Sequence, residues 1–223
     1  MSRNGLRGLY AITDAALQPP EQLVPRVAAA IAGGAALIQY RDKSGNTALR
    51  QRQARELATL CDSHGVALIV NDDVALAAGC GAHGVHLGRD DAGVAEARQR
   101  LGEQAIIGVS CYDRWERAEA ALAEGADYVA FGRFFPSRTK PDAVQADIGL
   151  IRRARAELPL PVAAIGGITP DNAAILIDAG VDLLAVVRGV FAASDVRAAA
   201  AAYADLFRPG HSRGAVNERS AWT

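Results

Sequence analysis

The chain has 223 residues, half of them apolar and 22% charged, with a formal net charge of −1. That balance excludes a global field drawing nucleic acid or an anionic membrane, so any anion site must be built locally. Cys61, Cys80 and Cys111 are widely spaced, with no CxxC or Cys/His cluster; this argues against a disulfide framework or a zinc site and suits reduced thiols in the cytosol.

The opening "MSRNGLRGLYAITD" has one short apolar run and no signal-peptide architecture, so a cytoplasmic protein is expected. From there one grammar repeats. An alanine-rich amphipathic segment ends in Gly, an aliphatic run follows, and a polar or glycine-rich stretch closes the unit, as in "AGGAALIQYRDK", "HGVALIVNDD" and "AGVDLLAVVRG". Gly just past a helix suits the left-handed C-cap, and continuous aliphatic runs suit strands buried on both faces.

Strands are expected at 8–13, 36–41, 67–71, 83–87, 105–110, 127–132, 162–166 and 183–188. Helices are expected at 22–33, 46–64, 114–124, 147–157, 170–179 and 195–207, with the weakest helical signals after the third and fourth strands. Alternating strands and helices imply right-handed βαβ units and a parallel sheet. Eight such units favour a single α/β domain, a (β/α)8 TIM barrel over residues 1–208, against an open doubly wound sheet. Residues 209–223 are expected to form a flexible tail. Active sites of such barrels form at the C-terminal strand ends.

Alternation along the second strand puts Gln39, Arg41 and Lys43 on one side and Tyr40 and Asp42 on the other. With the apolar neighbours under helices, the Gln-Arg-Lys row faces the mouth and suits a multi-oxygen anion. The third strand, "LIVNDD", ends in Asn71, Asp72 and Asp73; Asp73 is expected to cap the next helix, leaving Asn71 and Asp72 at the mouth. After the fourth strand come Gly88, Asp90 and Asp91, one acid starting a helix and the other facing inward. Two readings of these charges stay open. Asp72 and Asp91 neutralise Arg41 and Lys43, or the carboxylates hold a divalent cation that bridges to phosphate oxygens. The metal reading accounts for both signs of charge in one pocket.

Ser110, at the fifth strand end, is a neutral donor and acceptor, and no acid–His–Ser arrangement assembles around it. His83 and His86 read as structural histidines. The sixth strand opens into "GRFFPSRTKPDA", where Ser137, Thr139 and Lys140 resemble a small anion cradle. At the seventh, "AIGGITPDN", Gly166 and Gly167 let backbone N–H groups approach a ligand and Thr169-Pro170 opens a helix; the eighth places Arg188 and Gly189 beside it. The pocket thus has two anion sites, one metal-linked and one metal-free.

"QYRDK", "NDDVALA", "GVHLGRDD", "GVSCYD", "GRFFPSRTKPDA" and "AIGGITPDN", in this order, resemble the motifs of the thiamine phosphate synthase family over residues 8 to about 195. The resemblance implies a transferase that joins hydroxymethylpyrimidine diphosphate to thiazole phosphate and releases diphosphate. By carry-over, Gln39, Arg41, Lys43, Asn71, Ser110 and Lys140 bind the pyrimidine diphosphate, with Tyr40 and Asp42 included in the same substrate-binding stretch. Arg41, Lys43, Ser110 and Lys140 are the catalytic set, and Asp72 and Asp91 hold one Mg²⁺ per subunit. Ser137, Arg138, Thr139, Gly167, Val187 and Arg188 take the thiazole phosphate. Arg188 departs from the family pattern, which has a small hydroxyl residue there, and Ser137 stands where Thr is expected. The implied partners are small molecules, with no nucleic acid and no membrane; the apolar helix faces do not decide between monomer and homo-oligomer. A thiazole tautomerase, another sugar-phosphate barrel enzyme, and a binding barrel without turnover remain as alternatives.

Overall fold

Aliphatic runs buried on both faces leave a parallel sheet with nowhere to put an edge except against itself. The computed structural model, which describes residues 5–136 and 144–208, resolves this by closure. The strands are β1 (Gly8–Ile12), β2 (Ala35–Tyr40), β3 (Ala67–Asn71), β4 (Gly84–Leu87), β5 (Ile106–Tyr112), β6 (Tyr128–Gly132), β7 (Val162–Ile165) and β8 (Leu183–Val186). They pair in chain order, all parallel, and β8 returns to β1 through Gly8 opposite Leu183. The (β/α)8 expectation holds, and the open sheet is excluded.

Around the barrel lie α1 (Leu23–Ala32), α2 (Thr47–Ser63), α3 (Val74–Cys80), α4 (Val94–Leu101), α5 (Trp115–Ala123), α6 (Gly149–Glu157), α7 (Ala174–Ala179), α8 (Arg188–Phe191) and α9 (Val196–Ala204). Burial follows helical spacing: α1 turns Leu23, Val27, Ala30 and Ile31 inward. The segments with the weakest helical signal are the short helices α3 and α4. For α3, local chemistry supplies both ends: Asp73 accepts from the Leu76 N–H at 2.8 Å, and Gly81 closes it at φ 76°.

Two of the boundaries that differ from expectation have a local cause. The helix expected over 170–179 begins only at Ala174, because Asn172 folds back: its Oδ1 accepts from the Thr169 N–H at 2.8 Å and its Nδ2 donates to the Gly167 carbonyl at 3.1 Å. Such side-chain bonds hold a separate turn at 169–173 in competition with the helix. The last strand ends at Val186 rather than 188, and Arg188 starts the single turn of α8. Gly189 permits this packing, since a Cβ there would sit 2.1 Å from the Tyr203 hydroxyl oxygen.

A large apolar layer separates strands from helices, and a smaller one fills the barrel with Tyr10, Leu37, Ile69, Ile106, Tyr128 and their neighbours. The interior has little spare volume. A Cβ on Gly108 would stand 1.9 Å from the Tyr128 ring, so the small residue on β5 exists to admit the large one on β6. All three cysteines are buried and free, and among the described residues no helix is long and apolar enough to cross a membrane. The expected tail, 209–223, lies outside the described residues.

Gly108→Ala should lower the unfolding free energy by about 2 kcal/mol, the cost of overpacking a filled core, measured by urea denaturation. Gly79→Ala makes the same chemical change inside α3 with open space around it, and should stabilise by up to about 1 kcal/mol. Equal behaviour of the two variants would refute this account of the interior.

Candidate active site

At the C-terminal strand ends, where βα loops rise from the barrel, lies a cavity of about 370 Å³, the size range of small-ligand sites. The inward parity of each strand determines its lining. Gln39 and Arg41 reach it from β2, Asn71 from β3, His86 from β4, and Ser110 and Tyr112 from β5. The opposite side is formed by Gly166 to Thr169 after β7 and Val187 to Gly189 after β8. Sequence-expected residues from both anion sites therefore meet in one cavity.

Lys43, two residues beyond Arg41, ion-pairs with Asp72; neither of them, nor Asp91, is among the residues that line the cavity. Arg41 lies 3.8 Å from Asp14, and its backbone N–H donates to the Thr13 hydroxyl at 2.9 Å. The Asp72 and Asp91 carboxyls lie close enough to influence each other. Burial disfavours the Asp72 carboxylate, but the hydrogen bonds from Lys43 and Asp91 and the Lys43 charge outweigh it and hold its pKa below the usual range. Asp91 is pushed up, first by burial and then by the Asp72 charge, against the bond it accepts from the Gly88 N–H at 2.6 Å. The pair thus resists carrying two full negative charges.

Asp72 is held in the left-handed region at φ 64°, a conformation that costs a non-glycine residue about 1 kcal/mol or more. Its N–H donates to the His86 carbonyl at 2.8 Å, which fixes it between β3 and β4. The neighbouring acid does something else: Asp73 caps α3 and pairs with Arg50 at 2.9 Å. Of the twin acids of "LIVNDD", Asp73 is the helix cap that was expected, and Asp72 pairs with Lys43 instead.

Tyr40 and Asp42 are not brought into the cavity. Tyr40 is buried against α2, donating to Gln53 at 2.8 Å, and Asp42 accepts from the Ser44 N–H at 2.6 Å. Strand alternation that points Gln39 and Arg41 inward must point these two outward. Gly166 and Gly167 are at φ 103° and 65°, and their reason is partly packing: a Cβ on Gly167 would meet the Pro136 carbonyl oxygen at 2.3 Å. Ser137, Arg138, Thr139 and Lys140 lie outside the described residues, though Pro136 just before them lines the cavity. His83 is structural, its Nδ1 accepting from the Leu68 N–H at 3.1 Å.

Sequence reasoning missed Tyr10, Tyr112 and Arg133, which also line the cavity. Tyr10 was legible from parity, two residues before Ile12 on an inward row. Tyr112 was not. It follows a register shift between β5 and β6, adopts φ 57°, and lies between the guanidinium groups of Arg89 and Arg117 at 5.0 and 5.6 Å from its ring.

A sequence model described as "Thiamine monophosphate synthase" matches residues 9–190. The thiamine-phosphate synthase of Nitrosococcus oceani is 53% identical over 204 residues, covering 92% of this chain and 94% of that protein. The thiamine-phosphate synthase of Thiobacillus denitrificans is 56% identical over 200 residues, covering 90% and 94%. Among solved structures, the thiamine phosphate pyrophosphorylase of Pyrococcus furiosus superposes with a TM-score of 0.82 at 36% identity, covering 92% of this chain and 96% of that one.

The different duties of the two acids are testable by stability alone. Asp73→Ala should cost about 1 kcal/mol through loss of the helix cap. Asp72→Gly relieves a left-handed backbone and should leave the unfolding free energy unchanged or raise it by about 1 kcal/mol. Equal losses in urea denaturation would contradict the division.

Proposed function

The chain belongs to the thiamine monophosphate synthase family, and on that premise we propose that its cavity joins hydroxymethylpyrimidine diphosphate to thiazole phosphate, giving thiamine phosphate and diphosphate. It is a transferase of thiamine biosynthesis. The observation that carries the substrate assignment is the joint lining of a single cavity by Gln39, Arg41, Asn71 and Ser110 on one side and Gly167, Val187 and Arg188 on the other.

Gln39, Asn71 and Ser110 hold the pyrimidine, and Arg41 and Lys43 take the diphosphate. Gly167, Val187 and Arg188 receive the thiazole phosphate on the far side, and the family resemblance assigns Ser137, Arg138 and Thr139 to the same phosphate and Lys140 to the diphosphate. Asp72 and Asp91 would hold one Mg²⁺. The donor set fits: the Asp72 and Asp91 carboxyls interact with each other, and a pair of carboxylates suits a cation that keeps water and substrate phosphate in its shell. When bound, Mg²⁺ neutralises charge on the leaving diphosphate.

An amino-substituted pyrimidine stabilises positive charge at its methylene carbon, so the carbon–oxygen bond to diphosphate breaks first and the thiazole nitrogen then attacks. Such a dissociative step asks the protein for fixed charge and a held nucleophile, not for a strong base. Arg41, Lys43 and Lys140 supply the charge. Both ring nitrogens of His86 are engaged, by Tyr128 at 2.9 Å and Ser110 at 2.8 Å, which counts against a tautomerase that would need this histidine to carry protons. Residues 1–208 form the reacting unit, in the reducing cytoplasm that suits three buried free thiols.

Purified protein should release diphosphate from hydroxymethylpyrimidine diphosphate only when thiazole phosphate and Mg²⁺ are present, and a chelator should stop it. Thiazole phosphate binding without release would leave a tautomerase or a binding protein. Asp72→Ala or Asp91→Ala should raise the Mg²⁺ requirement and cut turnover about a hundredfold; wild-type kinetics in both would remove the metal assignment. Arg188→Ser deletes a charge-assisted phosphate contact and should raise KM for thiazole phosphate about tenfold with little change in kcat. An unchanged KM would return that phosphate to backbone donors alone.

A further inference from the structure

Beneath the cavity, five polar side chains cross the barrel interior in one unbroken line. Gln39 Nε2 donates to the Tyr10 hydroxyl at 2.6 Å. The Tyr10 and Tyr128 hydroxyls are 2.9 Å apart. Tyr128 meets His86 Nδ1 at 2.9 Å, and His86 Nε2 meets Ser110 Oγ at 2.8 Å. Tyr10, Tyr128, Gln39 and His86 are all buried. The line crosses from β2 through β1, β6 and β4 to β5, and the absent side chain of Gly108 gives Tyr128 its room.

Proton bookkeeping gives this line a direction. An amide nitrogen only donates, so Tyr10 accepts from Gln39 and its one hydrogen goes to Tyr128. The single hydrogen of Tyr128 then goes to His86 Nδ1. His86 therefore carries its proton on Nε2 and gives it to Ser110 Oγ, which leaves the Ser110 hydrogen turned toward the cavity. The reverse direction would turn the Tyr10 hydrogen against Gln39, a second donor, at about 1–3 kcal/mol. Burial raises the pKa of both phenols, Tyr10 and Tyr128, so each keeps the hydrogen this bookkeeping assigns it.

We propose that Gln39, Tyr10, Tyr128 and His86 form a polarised chain that locks His86 as its Nε2–H tautomer and thereby presents the Ser110 hydroxyl as a hydrogen-bond donor to an unprotonated ring nitrogen of the pyrimidine. Tyr128 and His86 are positioning residues: they act through Ser110 and touch no reacting atom. Gln39 has a double duty, lining the cavity on one side and setting the direction of the chain on the other. Occupation of the cavity by the pyrimidine would couple to residues buried well below it. This rests on the proposed coupling reaction for its ligand, but not for the state of the chain at rest.

The chain at rest is tested by ¹⁵N NMR of the histidines in the ligand-free protein, which has four. His86 should show an unprotonated Nδ1 and a protonated Nε2; the opposite tautomer would overturn the proposal whatever the enzyme does. Kinetics test its consequence. Tyr128→Phe keeps the ring and deletes the link, and should lower kcat/KM for the pyrimidine substrate about tenfold, the rate equivalent of one hydrogen bond, with KM for thiazole phosphate unchanged. In a Ser110→Ala background the same substitution should cost nothing further, and additive losses would reduce Tyr128 to a structural residue. His86→Gln places an amide nitrogen near the Nε2 position and should retain more activity than His86→Asn; equal losses would reject the link to Ser110. Failure of wild-type protein to couple the two substrates would sink the proposed reaction, and the tautomer would still decide the chain.

Discussion

Closing eight parallel strands into a barrel sends every second side chain into one narrow interior. The rest of this structure depends on that constraint. Low in the barrel the inward row is apolar, with Leu37, Ile69, Ile106 and Leu183 packed together. One step toward the strand ends it becomes Gln39, Asn71, His86 and Ser110. The change of chemistry along a single row converts a packed core into the floor of a cavity with no break in the backbone. It also limits size: the interior holds Tyr128 only because β5 offers Gly108 at that level.

The same closure makes buried polar groups costly unless each finds a partner. Two phenols in that position need partners on the protein. The Gln39–Ser110 line supplies them and leads the last hydrogen out to the cavity. A network that stabilises the floor and one that orients a ligand are then the same set of atoms. Around Asp72 the balance is different. Lys43 stabilises the Asp72 carboxylate while the adjacent Asp91 is disfavoured, so the cluster has room for one more positive charge. An anionic substrate alone would make that imbalance worse.

The fold was legible because each strand is an uninterrupted aliphatic run and each long helix has helical spacing or a cap. Asp73 could be read as a cap from its place before "VALAAG". The departures came from side chains that act over short range. Asn172 delays α7 and Gly189 lets α8 form beside Tyr203; neither leaves a periodic trace. At the site, parity on β2 sorts Gln39 and Arg41 inward and Tyr40 and Asp42 outward, so the excess was in carrying a whole motif into the cavity. Tyr10 and His86 were available to the same parity argument, but their connection was not. Tyr10 and Tyr128 are separated by 118 residues, and only the closed barrel brings their hydroxyls together.

Asp72 and Tyr112 are the only non-glycine residues with positive φ among those described, and both stand at strand ends beside the cavity. Each costs on the order of 1 kcal/mol, against a net stability of roughly 5–15 kcal/mol for a domain. Such strain persists where surrounding bonds leave no alternative, as the Asp72 N–H does by closing onto the His86 carbonyl. His86 is then held at both ends: its backbone carbonyl fixes Asp72, and its ring meets Ser110 at the cavity wall. If the proposed dissociative coupling holds, it asks for fixed charge rather than a reactive base, and the rigidity of this residue matters more to it than its basicity.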